Sequence, residues 1–546
     1  MKVLIVGGVA AGTKIAAKLK REMRAADVEI LTMGRDISYA GCGLPYYVGD
    51  VIKTRDELVV NTPDAFSGLT GASVRTGVEV TGLDRASKTV TARDLSTGEV
   101  FTRSYDKLVI STGAHPFLPK CEGLDLENVF VMRTPDDADA FRKKVDSGEI
   151  KRAVIVGGGL IGLEVAENLA DRGVKTSVID VAPHILPEML DPEMSAYIEN
   201  AMANAGVMPF TGVALEGITG SGKVEKVLTS RRPMKADAVV LAMGFRPNTE
   251  FLADSGLAME KGTLLVDEYM CTNDPDIYAA GDCALVTSRI TGRRQWSAMG
   301  STANICGRLA AMRLAGDPHA VSYPGVLGTG IAKLPGTNMA RVGLTEKDAR
   351  EAGFDVETIV AGVDDKAHYY PGSSKFLTKM VCDKTSHRLL GLQVVGSGSV
   401  DKMADIAVTA ISLGAKLEDL QHCDFAYTPP FSTAIHPFAV TVNALLNKLN
   451  GDLDSMTPVE YAAGAAEEYR VVDCSILPSI PGAPYLDLSQ INGPVEGLSP
   501  DEKLLLVCST GKRTYLAQNR LKFYGYHNTK VLEGGTLFTP EFLEEK

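Results

Sequence analysis

The sequence predicts an α/β chain: two doubly wound domains, then an α+β domain, then a small further α/β domain. Three observations predict it. A strand–glycine turn–helix–strand pattern opens the chain at residues 2–32 and returns once, at 152–181. From about residue 326 the pattern becomes α+β, with no phosphate loop. A short alternating α/β pattern of its own then fills 470–546.

At 546 residues the chain is too long for one core. A net charge of −12 argues against a general nucleic-acid surface, while a local cationic patch can still attract an anionic small molecule. No run of about 18 uninterrupted apolar residues is present, so no membrane span is expected. The opening "MKVLIVGG" runs straight into a strand, with no long apolar leader. Nine scattered cysteines with no CxxC exclude a disulfide framework and a zinc ribbon, and a reducing cytoplasm fits best. The histidines do not cluster with cysteines at ligand spacing, so no metal site is expected.

The repeated turn at 157–162 is a full GxGxxG made by Gly157, Gly159 and Gly162. The first glycine allows the tight turn, the second lets backbone approach a pyrophosphate, and the third lets helix and strand pack closely. Free N–H groups at the helix start face the anion. Asp180 ends the next strand, where a carboxylate binds a ribose hydroxyl, and no arginine follows at once. NADH is therefore favoured, with NADPH possible. The alternative is a plain glycine-rich turn.

The first turn, "GGVAAG", keeps Gly7 and Gly12 but has Val9 in the middle and Thr32 where an acid usually ends the strand. Two later stretches support it. "LVISTGAHP" (108–116), with Thr112 and Gly113, and "TNDPDIYAAGDCA" (272–284), with Gly281 and Asp282, resemble the second and third flavin signatures of two-dinucleotide flavoproteins. Asp282 is expected between a strand end and a helix start. There it accepts from a ribityl hydroxyl or simply caps the helix.

The order of these loops, with "SYAGCGLPYY" (38–47) and "GFRPN" (244–248), resembles the pyridine nucleotide–disulfide oxidoreductases over about residues 1–445. It is most similar to their single-cysteine branch, the coenzyme A-disulfide reductases, NADH-dependent persulfide reductases and NADH oxidases. The resemblance implies FAD, NADH and coenzyme A as cofactors or substrate. It also implies a homodimer in which Tyr370 ("AHYYPGSSK") and Tyr427 ("FAYTPPFS") come from the partner subunit; ordinary interface packing is the alternative for both tyrosines. Dithiol relatives place a second cysteine five residues on, where this chain has Tyr47. Cys42 must therefore bond to a substrate sulfur or become a sulfenic acid, unless it is an inert thiol. Pro45 and the flanking glycines suit a loop-to-helix junction, and a helix start lowers a thiol pKa. Ser38 and Tyr39 lie beside it. Lys18 and Arg21, with Lys14, Lys20 and Arg24, form either a solvated helix face or a landing strip for the phosphates of coenzyme A. His436-Pro437 lacks the glutamate partner of the dithiol enzymes, position 441 being Thr, so His436 reads as structural.

In the tail, "LLLVCSTGKRTYLAQ" (504–518) places Cys508 before a loop holding Lys512 and Arg513. With "SIPGA" (479–483) and "VLEGG" (531–535) it resembles a rhodanese. In such a domain, loop amides and basic side chains cradle a sulfur nucleophile. The strand end before it reads Asp473-Cys474 in place of the usual Asp-Val-Arg, which leaves a purely structural Cys508 as the alternative. The two resemblances imply a FAD-binding domain at 1–112 and 246–325 and an NAD-binding domain at 113–245. They imply a dimerisation domain at 326–448, a linker at 449–467 and a rhodanese-like domain at 468–546. The activity implied is NADH-dependent reduction of coenzyme A disulfide, coenzyme A persulfide or polysulfide through Cys42. The alternatives are an NADH oxidase or peroxidase and a non-catalytic redox sensor or sulfur carrier.

Overall fold

The apolar run at residues 3–6 is enclosed because it forms the middle strand of a five-stranded parallel sheet. This is seen in a computed structural model, which describes residues 1–539. Residues 540–546, expected to end the last domain, lie outside the described residues. The chain divides into two units, Met1–Val181 with Val207–Val326, and Ala182–Gly206 with the chain from Leu327 onward.

In the first unit, β1 (Lys2–Val6), α1 (Ala10–Glu22), β2 (Asp27–Leu31) and the short α2 (Leu44–Val48) come first. They are followed by β3 (Ser73–Arg75) and β4 (Lys107–Ile110). A second set comprises β5 (Val129–Phe130), β6 (Arg152–Val156), α3 (Leu160–Asp171), β7 (Lys175–Asp180), β8 (Met208–Thr211) and β9 (Ala238–Leu241). β10 (Ile277–Ala279) then returns to the first sheet. The two sheets run β10-β4-β1-β2-β3 and β8-β7-β6-β9-β5, and every pairing is parallel. Sheets of this kind are covered on both faces, which is why their strands read as unbroken Val, Ile and Leu. Val3, Leu4 and Ile5 are fully buried against Ile15, Ala16 and Leu19 of α1, each burial contributing roughly 1.5–3 kcal/mol.

One junction differs from expectation. Asp282 does not start a helix: Ala284 N donates to Gly281 O at 3.0 Å, and the chain turns into the strand Ala284–Thr287. The helix comes later, at Gly300–Leu314. The apolar pairs that follow Asp282 favour a strand, and Gly281, at φ +87°, makes the turn.

The second unit holds β11 (Gly330–Leu334), β12 (Thr337–Gly343), β13 (Val356–Asp364), β14 (Lys375–Asp383) and β15 (Leu389–Gly396) in one antiparallel sheet, ordered β11-β12-β15-β14-β13. The strand and helix expected at 387–396 and 400–415 are β15 and α4 (Val400–Leu413), which pack on each other; α5 (Pro437–Leu449) lies on β13. Residues 182–206 are tied to this sheet by Lys379. Its ammonium is buried and reaches Asp191, Glu193 and Glu346 at 3.2, 2.5 and 2.8 Å.

β16 (Ser455–Met456), β17 (Arg470–Asp473), β18 (Leu504–Val507), α6 (Lys512–Phe523) and β19 (Thr529–Leu532) form the C-terminal module, a parallel sheet ordered β16-β19-β18-β17. The span 449–467, expected as a linker, therefore supplies an edge strand: Ser455 pairs with Val531 and Met456 with Leu532. Two residues are too few for an alternation to show in the sequence. Buried Glu533 docks this module on β13, accepting from Val360 N at 2.8 Å, Lys448 Nζ at 2.7 Å and Ser455 Oγ at 2.7 Å.

Candidate active site

Both glycine turns have the same local geometry. Gly7 and Gly157 have φ of +106° and +113°, and a Cβ there would lie 2.1 Å from Ser111 O and 2.2 Å from Ala242 O. Gly12 and Gly162 abut their first glycines so closely that a Cβ would lie 1.9 and 2.1 Å from the carbonyl oxygens of Gly7 and Gly157. At the middle position the two turns diverge in sequence without strain. A Cβ at Gly159 meets nothing within 4 Å, and that is the room Val9 uses in the first turn. Neither α1 nor α3 has a side-chain cap at its N-terminus, so both helix starts suit a pyrophosphate. Asp180 Oδ2 accepts from Gly158 N at 2.6 Å, which fixes the second loop. Thr32, in the corresponding place of the first, is buried and holds its strand by backbone bonds to Arg75 O and Val78 N. These cradles fit two dinucleotides.

Cys42 lies in a single 3₁₀ turn, Gly41–Gly43, and α2 begins at Leu44 with Pro45 in its first turn. The thiol is free and reaches solvent. Tyr47, five residues on, is buried and donates to Asp139 Oδ1 at 3.0 Å beneath Arg142. Desolvation, then the charges of Glu164 and Asp282, raise the Cys42 thiol above its ordinary range, against a smaller pull from Arg133. The expectation that a helix start lowers this thiol is thus not met: the helix begins as expected, but desolvation and two acids outweigh it.

Two residues of this site were missed by sequence reasoning. Glu164 follows the third glycine of the second turn by two residues, on α3, and accepts from Tyr46 Oη at 3.2 Å. Burial pushes its carboxyl up to about 7, opposed by Tyr46 and assisted by Glu167. Arg133 sits 3.7 Å from Asp282 Oδ2, and a Cβ on Gly113 would meet its guanidinium at 3.0 Å. Desolvation raises Asp282 and Arg133 lowers it. The placement of Glu164 beside a glycine turn was a usable signal; Arg133 had none.

Ser38 adopts φ +50° and donates from its backbone N to Gly8 O at 2.9 Å, so it stands against the first turn. Tyr39 is half-buried and bridges to Val59. Of the basic strip, Lys18 is buried and paired with Glu22, and Lys20 donates to the carbonyls of Arg24 and Ala26 at 2.8 and 2.9 Å. Lys18 therefore does not offer a cation to a phosphate, because the helix face it occupies turns inward; Arg21 stays exposed.

In the second unit Tyr370 and Tyr427 are both exposed. A hydrogen bond with Tyr369 is the first cause that raises the Tyr427 phenol. His436 is buried, and its Nδ1 accepts from Phe438 N at 3.2 Å as the N-cap of α5. That agrees with its structural reading.

Cys508 follows β18 and is 1% exposed. Its Sγ lies 3.8 Å from Thr514 Oγ1 in the first turn of α6, and Gly511 starts that helix without a side-chain cap. Lys512 is exposed, while Arg513 Nε donates to Cys474 O at 3.0 Å. Gly535 underlies the loop, where a Cβ would lie 1.9 Å from Cys508 O. Asp473 accepts from Ser475, Ser479 and Ile480 N at 2.9, 2.6 and 3.0 Å. Burial opposes its ionisation, but these bonds hold it below the usual range.

Two phosphate cradles on parallel sheets, with one free thiol at a helix start between them in the chain, define a dinucleotide-dependent redox protein. The chain belongs to the pyridine nucleotide-disulphide oxidoreductase family, matched over residues 1–303; its dimerisation domain is matched at 335–439 and a rhodanese-like domain at 441–537. It is an oxidoreductase of a FAD- and NAD(P)H-dependent family, which sets aside the reading as a non-catalytic carrier. It is 32% identical over 450 residues to an NADH oxidase of Methanocaldococcus jannaschii, covering 82% of this chain and 100% of the relative. It is 34% identical over 445 residues to an NAD(P)H coenzyme A polysulfide/persulfide reductase of Pyrococcus horikoshii, covering 81% and 98%. A NAD-dependent persulfide reductase from A. fulgidus superposes with TM-score 0.93 at 33% identity, covering 98% of this chain and 100% of that one. Reduced CoADR-RHD of Bacillus anthracis gives 0.94 at 30%, covering 100% and 99%. Among the described residues no helix is long and apolar enough to cross a membrane.

Proposed function

We propose that this chain uses NADH to reduce coenzyme A disulfide, coenzyme A persulfide or polysulfide, with Cys42 as its single redox thiol. The observation that carries the reading is Cys42 alone at the start of α2, with buried Tyr47 where a dithiol enzyme needs its second sulfur. The names of the Pyrococcus horikoshii and A. fulgidus relatives support the substrate class. FAD held at the first cradle would supply the two-electron chemistry that links NADH oxidation to sulfur reduction. The Cys42 thiolate attacks a substrate sulfur, forming one sulfur–sulfur bond while the other substrate sulfur leaves with the electron pair. Gly7, Gly12, Thr112, Gly113, Gly281 and Asp282 are assigned to FAD. Gly157, Gly159, Gly162 and Asp180 are assigned to NADH. Arg21, Ser38 and Tyr39 are assigned to coenzyme A, and Lys18 is withdrawn.

The assigned domains are 1–112 with 246–325 for FAD, 113–245 for NADH, 326–448 for dimerisation, and a rhodanese-like module from 449 that includes β16. The working form is a cytoplasmic homodimer. Tyr369, Phe431 and Ile435 are 67%, 70% and 60% exposed beside Tyr370 and Tyr427, an apolar cluster suited to a second copy. Tyr370 and Tyr427 then protonate or orient the leaving thiolate across that interface, and Cys508, with Lys512 and Arg513, carries sulfane sulfur.

Initial rates of NADH oxidation in air and under argon, with and without coenzyme A disulfide or persulfide, test this. The expected result is slow turnover in air alone and at least ~10-fold faster turnover on adding either substrate under argon. Fast oxygen uptake indifferent to coenzyme A compounds would instead make the chain an NADH oxidase.

A further inference from the structure

The C-terminal module carries a second cysteine that the function so far does not use. Cys474 is the first residue after β17, and Cys508 is the first after its parallel neighbour β18, where Asp473 stands opposite Val507. Cys474 N donates to Val507 O at 2.8 Å, the bond a parallel ladder makes when residue 474 stands opposite residue 508. Residues in register on adjacent parallel strands share one side of the sheet. Neighbouring strands are about 4.7–4.9 Å apart, within the roughly 4.4–6.8 Å between Cα atoms that a disulfide spans. Both cysteines are buried, at 0% and 1% exposure. Arg513, a residue of the Cys508 loop, holds the Cys474 carbonyl at 3.0 Å and so ties the two strand ends together. Burial raises the Cys474 thiol, and the proximity of Cys508 adds to it.

We infer that Cys474 is a resolving thiol for Cys508, so that the module releases sulfide and stores the oxidising equivalent as a Cys474–Cys508 disulfide. The inference rests on the proposed loading of Cys508 with sulfane sulfur. Cys474 Sγ attacks the inner sulfur of the Cys508 persulfide. A bond forms between the two cysteine sulfurs, and the bond to the outer sulfur breaks. That outer atom leaves with the electron pair, takes the proton from Cys474 and departs as hydrogen sulfide. The sulfane sulfur is reduced and the two cysteines are oxidised. Two molecules of a small thiol then reopen the pair, leaving a small-molecule disulfide, the substrate type proposed for Cys42.

The test uses the full-length reduced protein, freed of small thiols under argon, with thiosulfate as sulfur donor. Sulfite release reports loading of Cys508, and sulfide release reports resolution. Wild type is expected to release both, and non-reducing peptide mapping to show Cys474 linked to Cys508. Cys474→Ser and Cys474→Ala should still release sulfite, which shows an intact loop, but keep the extra sulfur on Cys508. Their sulfide release should fall at least ~10-fold. Sulfite without sulfide or disulfide in wild type, or sulfide release as fast in both variants, overturns the resolving role and leaves the loading intact. No sulfite from any form removes the loading itself, and the resolving role with it.

Discussion

Cys42 is held by opposing charges. Glu164 and Asp282 disfavour its thiolate and Arg133 favours it, with desolvation the largest cause and adding to the acids. Because Glu164 titrates near 7, its charge is present above that pH and opposes the thiolate there. Replacing Glu164 with Gln removes a negative charge from the site while keeping its shape. The pH profile of Cys42 alkylation by iodoacetamide, followed by peptide mapping, should therefore move to lower pH. The rate at pH 7.5 should rise roughly 2–10-fold. An unchanged profile, or one displaced upward, would show that Glu164 does not act on the sulfur. The sequence displayed Cys42 by its flanking Gly41, Gly43 and Pro45, which punctuate the chain. It did not display the acids, because their proximity is created by folding.

At the scale of elements, the strands were legible where burial is complete on both sides. β1, β6 and β15 announce themselves as apolar runs, and α4 by its amphipathic spacing. β16 was not legible: two residues on a sheet edge need no pattern, only a partner, here Val531 and Leu532. Lys18 was misread for a related reason. Charge on a helix suggests an exposed face, yet this lysine is buried on α1 and paired with Glu22. The start of α5 yields a prediction of its own. His436 caps it through an unprotonated Nδ1, and burial, with Lys402 nearby, lowers its pKa to about 4 from an ordinary 6.5. The unfolded chain binds that proton first, so this contribution is present above pH 6.5 and is lost as pH falls toward 4. In His436→Asn the cap no longer titrates. Its urea midpoint should fall less than that of wild type between pH 7 and pH 4.5; an equal or steeper fall would refute the cap's role in acid sensitivity.

For the whole molecule, the order of motifs along the chain was the strongest signal. Two glycine turns, a solitary cysteine and a sulfur-loop module were read correctly as one redox chain with a rhodanese-like tail. Net charge of −12 does not oppose an anionic substrate, since Arg21, in the last turn of α1, and Arg24, just beyond it, remain exposed. What the proposed tie to sulfur rests on is Cys42, a free thiol just before α2, with Tyr47 in the place of a second. The most direct measurement is anaerobic NADH oxidation by Cys42→Ser with coenzyme A disulfide, coenzyme A persulfide and polysulfide, each compared with wild type. The account predicts a loss on the order of 10³-fold or more with every substrate, while NADH still bleaches the visible absorbance of the variant. Turnover close to wild type with any of the three would contradict it.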